Sequence, residues 1–224
     1  MNIDQVIEQH VHAIGGTAAI EGVHRLQIAF HLIEPSFEAD GLYRAERKGR
    51  MRVDIFMNAV RVFTEGHSGS VGWQLPQDAE HASLASPAGS LALLHGIENH
   101  LFGLHELKAR GHLVELEGQE DVDDTQYYVI KVVFKDGHTQ WRYVNAANGL
   151  VERNRERKAL HPDVDPAETT IETRFTDFRL VDRGLRRAFH EVQVDLSTGQ
   201  LLQTTTIGNL LINPLFPSDL FDVP

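Results

Sequence analysis

The 224-residue chain has no cysteine, which removes disulfides, thiol nucleophiles and thiolate metal sites. The compartment stays open, because many exported proteins also lack cysteine. No apolar run approaches the roughly 20 residues of a membrane-spanning helix. Positive charge is scarce: 21 Lys and Arg stand against 32 Asp and Glu, for a net charge of −11. A general nucleic-acid binder needs a basic footprint, so nucleic acid is not among the expected partners. The stretch from Met1 to Gly16 carries Asp4, Glu8, His10 and His12. It has neither the basic start nor the unbroken apolar stretch of a secretory signal. On that reading the chain is either cytosolic or has lost a leader.

Catalytic motifs are missing too. There is no Gly-x-Ser-x-Gly nucleophile elbow, no His-Glu-x-x-His zinc helix and no glycine-rich phosphate loop. Thirteen histidines invite a metal reading. However, His10 and His12 lie two apart on a helix and do not share a face. His95, His100 and His105 lie five apart, so their rings rotate away from one another. Gly66-His67-Ser68-Gly69 puts a base beside a hydroxyl without orienting it, and reads as a flexible loop. Glu120-Asp121 and Asp123-Asp124 read as a solvated turn. The expectation is no enzyme activity, no cofactor and no metal.

What is present is a core-forming composition, 42% hydrophobic and 24% charged, suited to a single domain over 1–224. Ile3, Val6, Ile7 and Ile14 have helical spacing, and Gly15-Gly16 supplies a stop. Thr17 to Glu21 reads as a short second helix. Leu26, Ile28, Phe30 and Leu32 alternate with more polar residues, as do Met51, Val53, Ile55 and Met57. Residues 66–85 are rich in glycine and serine and read as loop. Ser86 and Pro87 open a helix expected over 86–108, with Leu91, Leu94, Ile97, Leu101 and Leu104 on its apolar stripe and Leu93 and Phe102 outside it. From Val114 to Ile212 the chain reads as β throughout.

Asp136-Gly137 is a pair favoured in two-residue hairpin turns. A two-residue turn sets Val132 opposite Trp141 and Ile130 opposite Tyr143, and turns Lys131 and Arg142 to solvent. Arg44, Arg47, Lys48, Arg50 and Arg52, and later Arg153, Arg155, Arg157 and Lys158, read as the wet outer face of a sheet. The alternative is an anion-binding patch.

The tail runs Phe175-Thr176-Asp177-Phe178, then Arg183-Gly184, and closes with Asn213-Pro214-Leu215-Phe216 and Asp219-Leu220-Phe221. With the helix ending at Ile14-Gly15-Gly16, this resembles the outer-membrane lipoprotein-sorting superfamily, the LolA/LolB-like proteins. It departs from the family pattern at Arg186, Arg187 and Ala188, where those proteins carry a proline after the glycine turn. The resemblance implies a mainly β fold with helices (α+β): an unclosed antiparallel barrel of about eleven strands under a helical lid. It also implies a non-enzymatic carrier of an apolar, acyl-chain or lipoprotein-like ligand in the bacterial envelope or periplasm. On this reading Ile130, Val132, Trp141 and Tyr143 form the sheet side of the ligand site. Leu94, Ile97 and Leu101 form a lid that opens. The alternative is an envelope interaction module with a filled core and a protein partner.

Overall fold

The computed structural model describes residues 1–224. Helices α1 (Ile3–Ala13) and α2 (Thr17–Glu21) open the chain. Strands β1 (Arg25–Glu34), β2 (Phe37–Glu46), β3 (Arg50–Met57), β4 (Val60–Ser68), β5 (Gly72–Pro76) and β6 (Ser83–Leu84) follow. Helices α3 (Pro87–Leu101) and α4 (Leu104–Leu107) come next. The remaining strands are β7 (Leu113–Val122), β8 (Thr125–Val133), β9 (Thr139–Asn145), β10 (Val151–Lys158), β11 (Thr169–Leu180), β12 (Arg186–Asp195) and β13 (Leu201–Ile212).

All thirteen strands join one antiparallel sheet in the order β6-β5-β4-β3-β2-β1-β13-β12-β11-β10-β9-β8-β7. Its end strands, β6 and β7, do not pair, so the sheet is unclosed. Thirteen strands exceed the expected eleven because short or glycine-containing strands give weak alternation. In β2, Phe37, Ala39, Gly41, Tyr43 and Ala45 share one face, and a Cβ at Gly41 would run into the Phe30 ring. The 66–85 segment is likewise not a loop throughout. Gly66 pairs with Trp73 across β4 and β5, and a Cβ there would lie 2.5 Å from the fully buried indole. Gly72 lies against Ser90 of α3, where a Cβ would come within 2.9 Å of that residue. Those glycines serve close packing, which composition alone does not distinguish from a loop.

The chain divides into two compact units, each described by itself. The first comprises Met1–Gly22, Gly103–Lys158 and Thr169–Leu202, and the second Val23–Phe102, Ala159–Glu168 and Gln203–Pro224. In the first, α1 starts at Asn2, whose side chain accepts from the Gln5 N–H while the Gln5 side chain accepts from the Asn2 N–H. The expected stop at Gly15 and Gly16 is present, both at positive φ. Gly15 packs so close to Gly184 that a Cβ would be 2.6 Å from its carbonyl oxygen. In the second unit, Ser86 caps α3 by accepting the Gly89 N–H at 3.0 Å, with Pro87 in the first turn.

The helix expected over 86–108 is two helices. The first ends at Leu101, and Phe102 is extended. Gly103 then starts α4, donating its N–H to Glu106 Oε2 at 2.8 Å. Leu104 therefore belongs to α4 and not to the stripe of α3. The buried stripe of α3 is Gly89, Leu93, Ile97 and Leu101, while Leu91 is exposed. The stripe is thus rotated from the expected one, because the close approach at Gly72 and Ser90 sets which side meets the sheet.

Candidate functional site

The Asp136-Gly137 hairpin forms with three loop residues, not two. Phe134 donates its N–H to the His138 carbonyl at 2.8 Å, and Gly137 takes positive φ, as in a type I turn followed by a left-handed residue. The extra residue shifts the register by one. Val132 pairs with Gln140, Ile130 with Arg142, Lys131 with Trp141 and Val129 with Tyr143. Because side chains alternate, Ile130 and Val132 face one side of the sheet and Trp141 and Tyr143 the other. The four sheet residues expected to form one surface are split across two. Arg142, expected in solvent, is buried.

On the side of Trp141 and Tyr143 the surface is a saturated ionic layer. Tyr127, Val129 and Tyr143 pack together with Trp141 and Val122 against them. Trp141 Nε1 donates to Glu117 at 3.0 Å, and Tyr143 OH donates to Glu120 at 2.9 Å. Arg155 lies 4.4 Å over the Tyr143 ring and donates to its hydroxyl at 2.6 Å. Burial and the Glu120 carboxylate push the Tyr143 hydroxyl up to about 12. Glu172, 1% exposed, accepts from Arg153 at 2.9 Å, Arg155 at 2.7 Å and Arg174 at 2.7 Å. Burial would raise its pKa, but the hydrogen bonds from Arg174 and Arg155 outweigh it and hold the carboxyl below the usual range. The Arg-rich strand is thus a sheet face whose charges are already matched.

The side of Ile130 and Val132 is the one α1 covers. Gln9 Nε2 donates to the Ala146 carbonyl at 3.1 Å. His10, 8% exposed, has Nδ1 2.9 Å from the Gly149 carbonyl oxygen. A carbonyl can only accept, so Nδ1 carries the proton. Burial lowers the His10 pKa to about 4, and the charges of Arg142 and Arg187 add to this against the opposing Gly149 bond. The folded pKa lies below the unfolded one, so the unfolded chain takes up the proton first. Stability present above about pH 6.5 is expected to fall by about 3 kcal/mol as the pH drops towards 4. His10→Gln should flatten urea midpoints across that window; an unchanged slope would clear His10 of the effect.

The same face carries a polar band that the sequence reading missed. Pairing sets Arg142, Asn154, Thr173 and Gln193 side by side across β9, β10, β11 and β12. In the next row Gln140 and Glu156 are neighbours. Glu156 accepts from His138 at 2.7 Å, Gln140 at 2.8 Å and Lys158 at 2.7 Å. Those bonds overcome burial and keep its carboxyl ionised. Glu191 follows Gln193 on this face of β12, opposite Phe175. Burial raises its pKa to about 7, against the pull of Lys158. Asn154 Oδ1 and Gln193 Oε1 are buried and accept no hydrogen bond. An unmet buried acceptor costs about 1–3 kcal/mol. The signal was legible in β10: after Val151 it has no apolar residue on either face.

In the second unit α3 lies on the sheet face of Tyr43, Ala45, Met51 and Val53, with the His100 ring 4.9 Å from that of Tyr43. Ile97 and Leu101 are buried there, and Leu94 is partly exposed. Asp163 accepts the Ser86 N–H at 2.8 Å and also bonds Gln74, tying the loop of 159–168 to the start of α3. On the opposite face Asp54 is buried against Arg44, Arg52 and Thr64. Burial raises its pKa, but the Arg52 and Thr64 hydrogen bonds outweigh it and leave the carboxyl ionised. No three His, Asp or Glu side chains are arranged to hold a metal ion. An open groove of about 420 Å³ on α1 is lined by Met1, Gln5, Glu8, Gln9 and His12.

No protein-family model matches the sequence, and no curated protein matches it in sequence. The architecture does have solved counterparts, and they define it as a LolA-like fold. A LolA superfamily protein of Nitrosomonas europaea matches with a TM-score of 0.63 and 14% identity over 99% of this chain and 97% of its own. A DUF1329 family protein of Desulfovibrio piger matches with a TM-score of 0.66 and 11% identity over 99% and 97%. A domain of Vibrio parahaemolyticus assigned to outer-membrane lipoprotein sorting matches at 0.61 and 12% over 97% and 95%. At these identities the likeness is one of fold. No helix is long and apolar enough to cross a membrane.

Proposed function

We propose that this protein is a non-enzymatic binder or carrier of an apolar, acyl-chain-bearing ligand in the bacterial cell envelope. The observation that supports this most is the match, over 99% of the chain, to a LolA superfamily structure. The lipoprotein-sorting domain of the same fold points the same way. The driving force would be apolar burial, about 0.8 kcal/mol per methylene, or about 10 kcal/mol for a twelve-carbon chain before ordering costs. Each unit offers a helix-covered face with apolar residues to meet such a chain: Ile130 and Val132 in the first, Leu94, Ile97 and Leu101 in the second. Trp141 and Tyr143, on the other face, are engaged with Glu117, Glu120 and Arg155.

A second reading is an envelope interaction module with a filled core and a protein partner. Ile130 and Val132 favour it, since both are 0% exposed, covered by the chain's own residues. Native mass spectrometry of the purified protein, with lipid extraction, separates the two. The carrier should show adducts of acyl-chain mass and should bind a fluorescent fatty acid. Protein of bare chain mass that binds no long-chain amphiphile would leave the module.

A further inference from the structure

The polar band on the face of Ile130 and Val132 sits where an apolar ligand face would need none. Asn154, 8% exposed, and Gln193 each hold a buried side-chain oxygen that accepts nothing. They are brought together through Thr173, which pairs with Asn154 on one side and Gln193 on the other. Glu191 lies one step along the same face of β12. Apolar side chains flank the row, with Ile130 and Val144 buried on neighbouring strands and Ile171 and Phe189 at its β11 and β12 end. The neighbouring Glu156 is matched by His138, Gln140 and Lys158, so a satisfied polar cluster is within this fold's means. The unmet pair is not explained by the packing around it.

Both unmet atoms are carbonyl oxygens, which can only accept. In this orientation they meet a donor rather than a carboxylate or phosphate oxygen. Arg142, next in the row, and Arg187, on the same face of β12, both add to the positive field at His10, and that field opposes an ammonium group. A neutral group with O–H donors suits both conditions. We propose that Asn154 and Gln193 form a head-group subsite for a neutral, hydroxyl-bearing amphiphile of the monoacylglycerol type. The row takes the hydroxyls while the flanking apolar residues take the start of the chain. This rests on the carrier reading above and adds to it the chemistry of the ligand's polar end.

The test compares 1-monolauroylglycerol with methyl laurate, which has the same acyl chain and no donor. Each displaces a fluorescent fatty acid from the intact protein and from the Asn154→Leu/Gln193→Leu double variant. Wild type should prefer the monoacylglycerol by about tenfold, as two modest hydrogen bonds provide. The double variant should bind both equally. Its melting temperature without ligand should also rise, because two unmet acceptors are gone. Wild type that binds both lipids equally would overturn the subsite and leave the carrier reading intact. Wild type that binds neither would remove both. A variant that keeps the preference, or melts lower, would overturn the subsite, the latter because ordered water would then already meet these oxygens.

Discussion

Glu172→Ala is expected to destabilise the protein by about 3 kcal/mol, the low end of the usual cost of breaking a buried ion pair. The carboxylate is 1% exposed and receives three guanidinium groups. The low end applies because the arginines are not all stranded by its loss. Arg153 keeps Asp123 at 2.6 Å and Arg155 keeps Glu120 at 3.0 Å. Arg174, nearly half-exposed, can turn to water. Glu172→Gln should cost less, since an acceptor stays. The lowered folded pKa gives the acid behaviour its sign: stability from Glu172 is complete above the ordinary carboxylate range and is lost as the pH falls through the folded value. Urea unfolding of the three proteins at neutral pH checks this. A loss under about 1 kcal/mol for alanine would mean the arginines are satisfied without Glu172.

Ile97→Glu is expected to cost roughly 3–5 kcal/mol, a large part of an ordinary domain's stability. Ile97 is 2% exposed on the stripe that α3 presses against β2 to β5. A carboxylate there loses its hydration and has no partner. A lid that opens freely predicts the reverse: the charge turns to water, folding survives and only ligand binding falls. The packing of Ile97 and Leu101 favours the costly outcome. Leu94→Glu, on the partly exposed flank, should stay within about 1 kcal/mol. Melting curves for both variants, with fatty-acid titration of the Leu94 variant, separate these cases. Wild-type stability for Ile97→Glu would mean that α3 spends much of its time off the sheet.

Several elements were legible because their causes are local. Helix α1 follows from helical spacing and a glycine pair, and the start of α3 from Ser86 and Pro87. The turns at Asn148-Gly149, Arg183-Gly184 and Ser197-Thr198-Gly199 are local too, with Gly149, Gly184 and Gly199 at positive φ. Phases within strands were also readable: Leu26 and Ile28 share a face with Tyr43 and Ala45, as alternation requires. The order of these elements, with the tail around Phe175 to Phe221, was enough to indicate a LolA-like sheet.

Three-dimensional packing decided the rest. Asp136-Gly137 suits both two- and three-residue loops, so the turn pair did not settle the register. Both registers also gave plausible cross-strand partners, and only the sheet chose the one that separates Ile130 and Val132 from Trp141 and Tyr143. Glycines at 66 and 72 look like loop residues until Trp73 and Ser90 are placed against them. The polar row of Asn154, Thr173 and Gln193 joins three strands whose sequence separations reach 39 residues. Composition, charge and the local period of each strand were determined by the sequence alone, because they depend on neighbours along the chain. Which faces are buried, and which buried groups go unmatched, depends on pairings between distant strands, and only the tertiary structure supplies those.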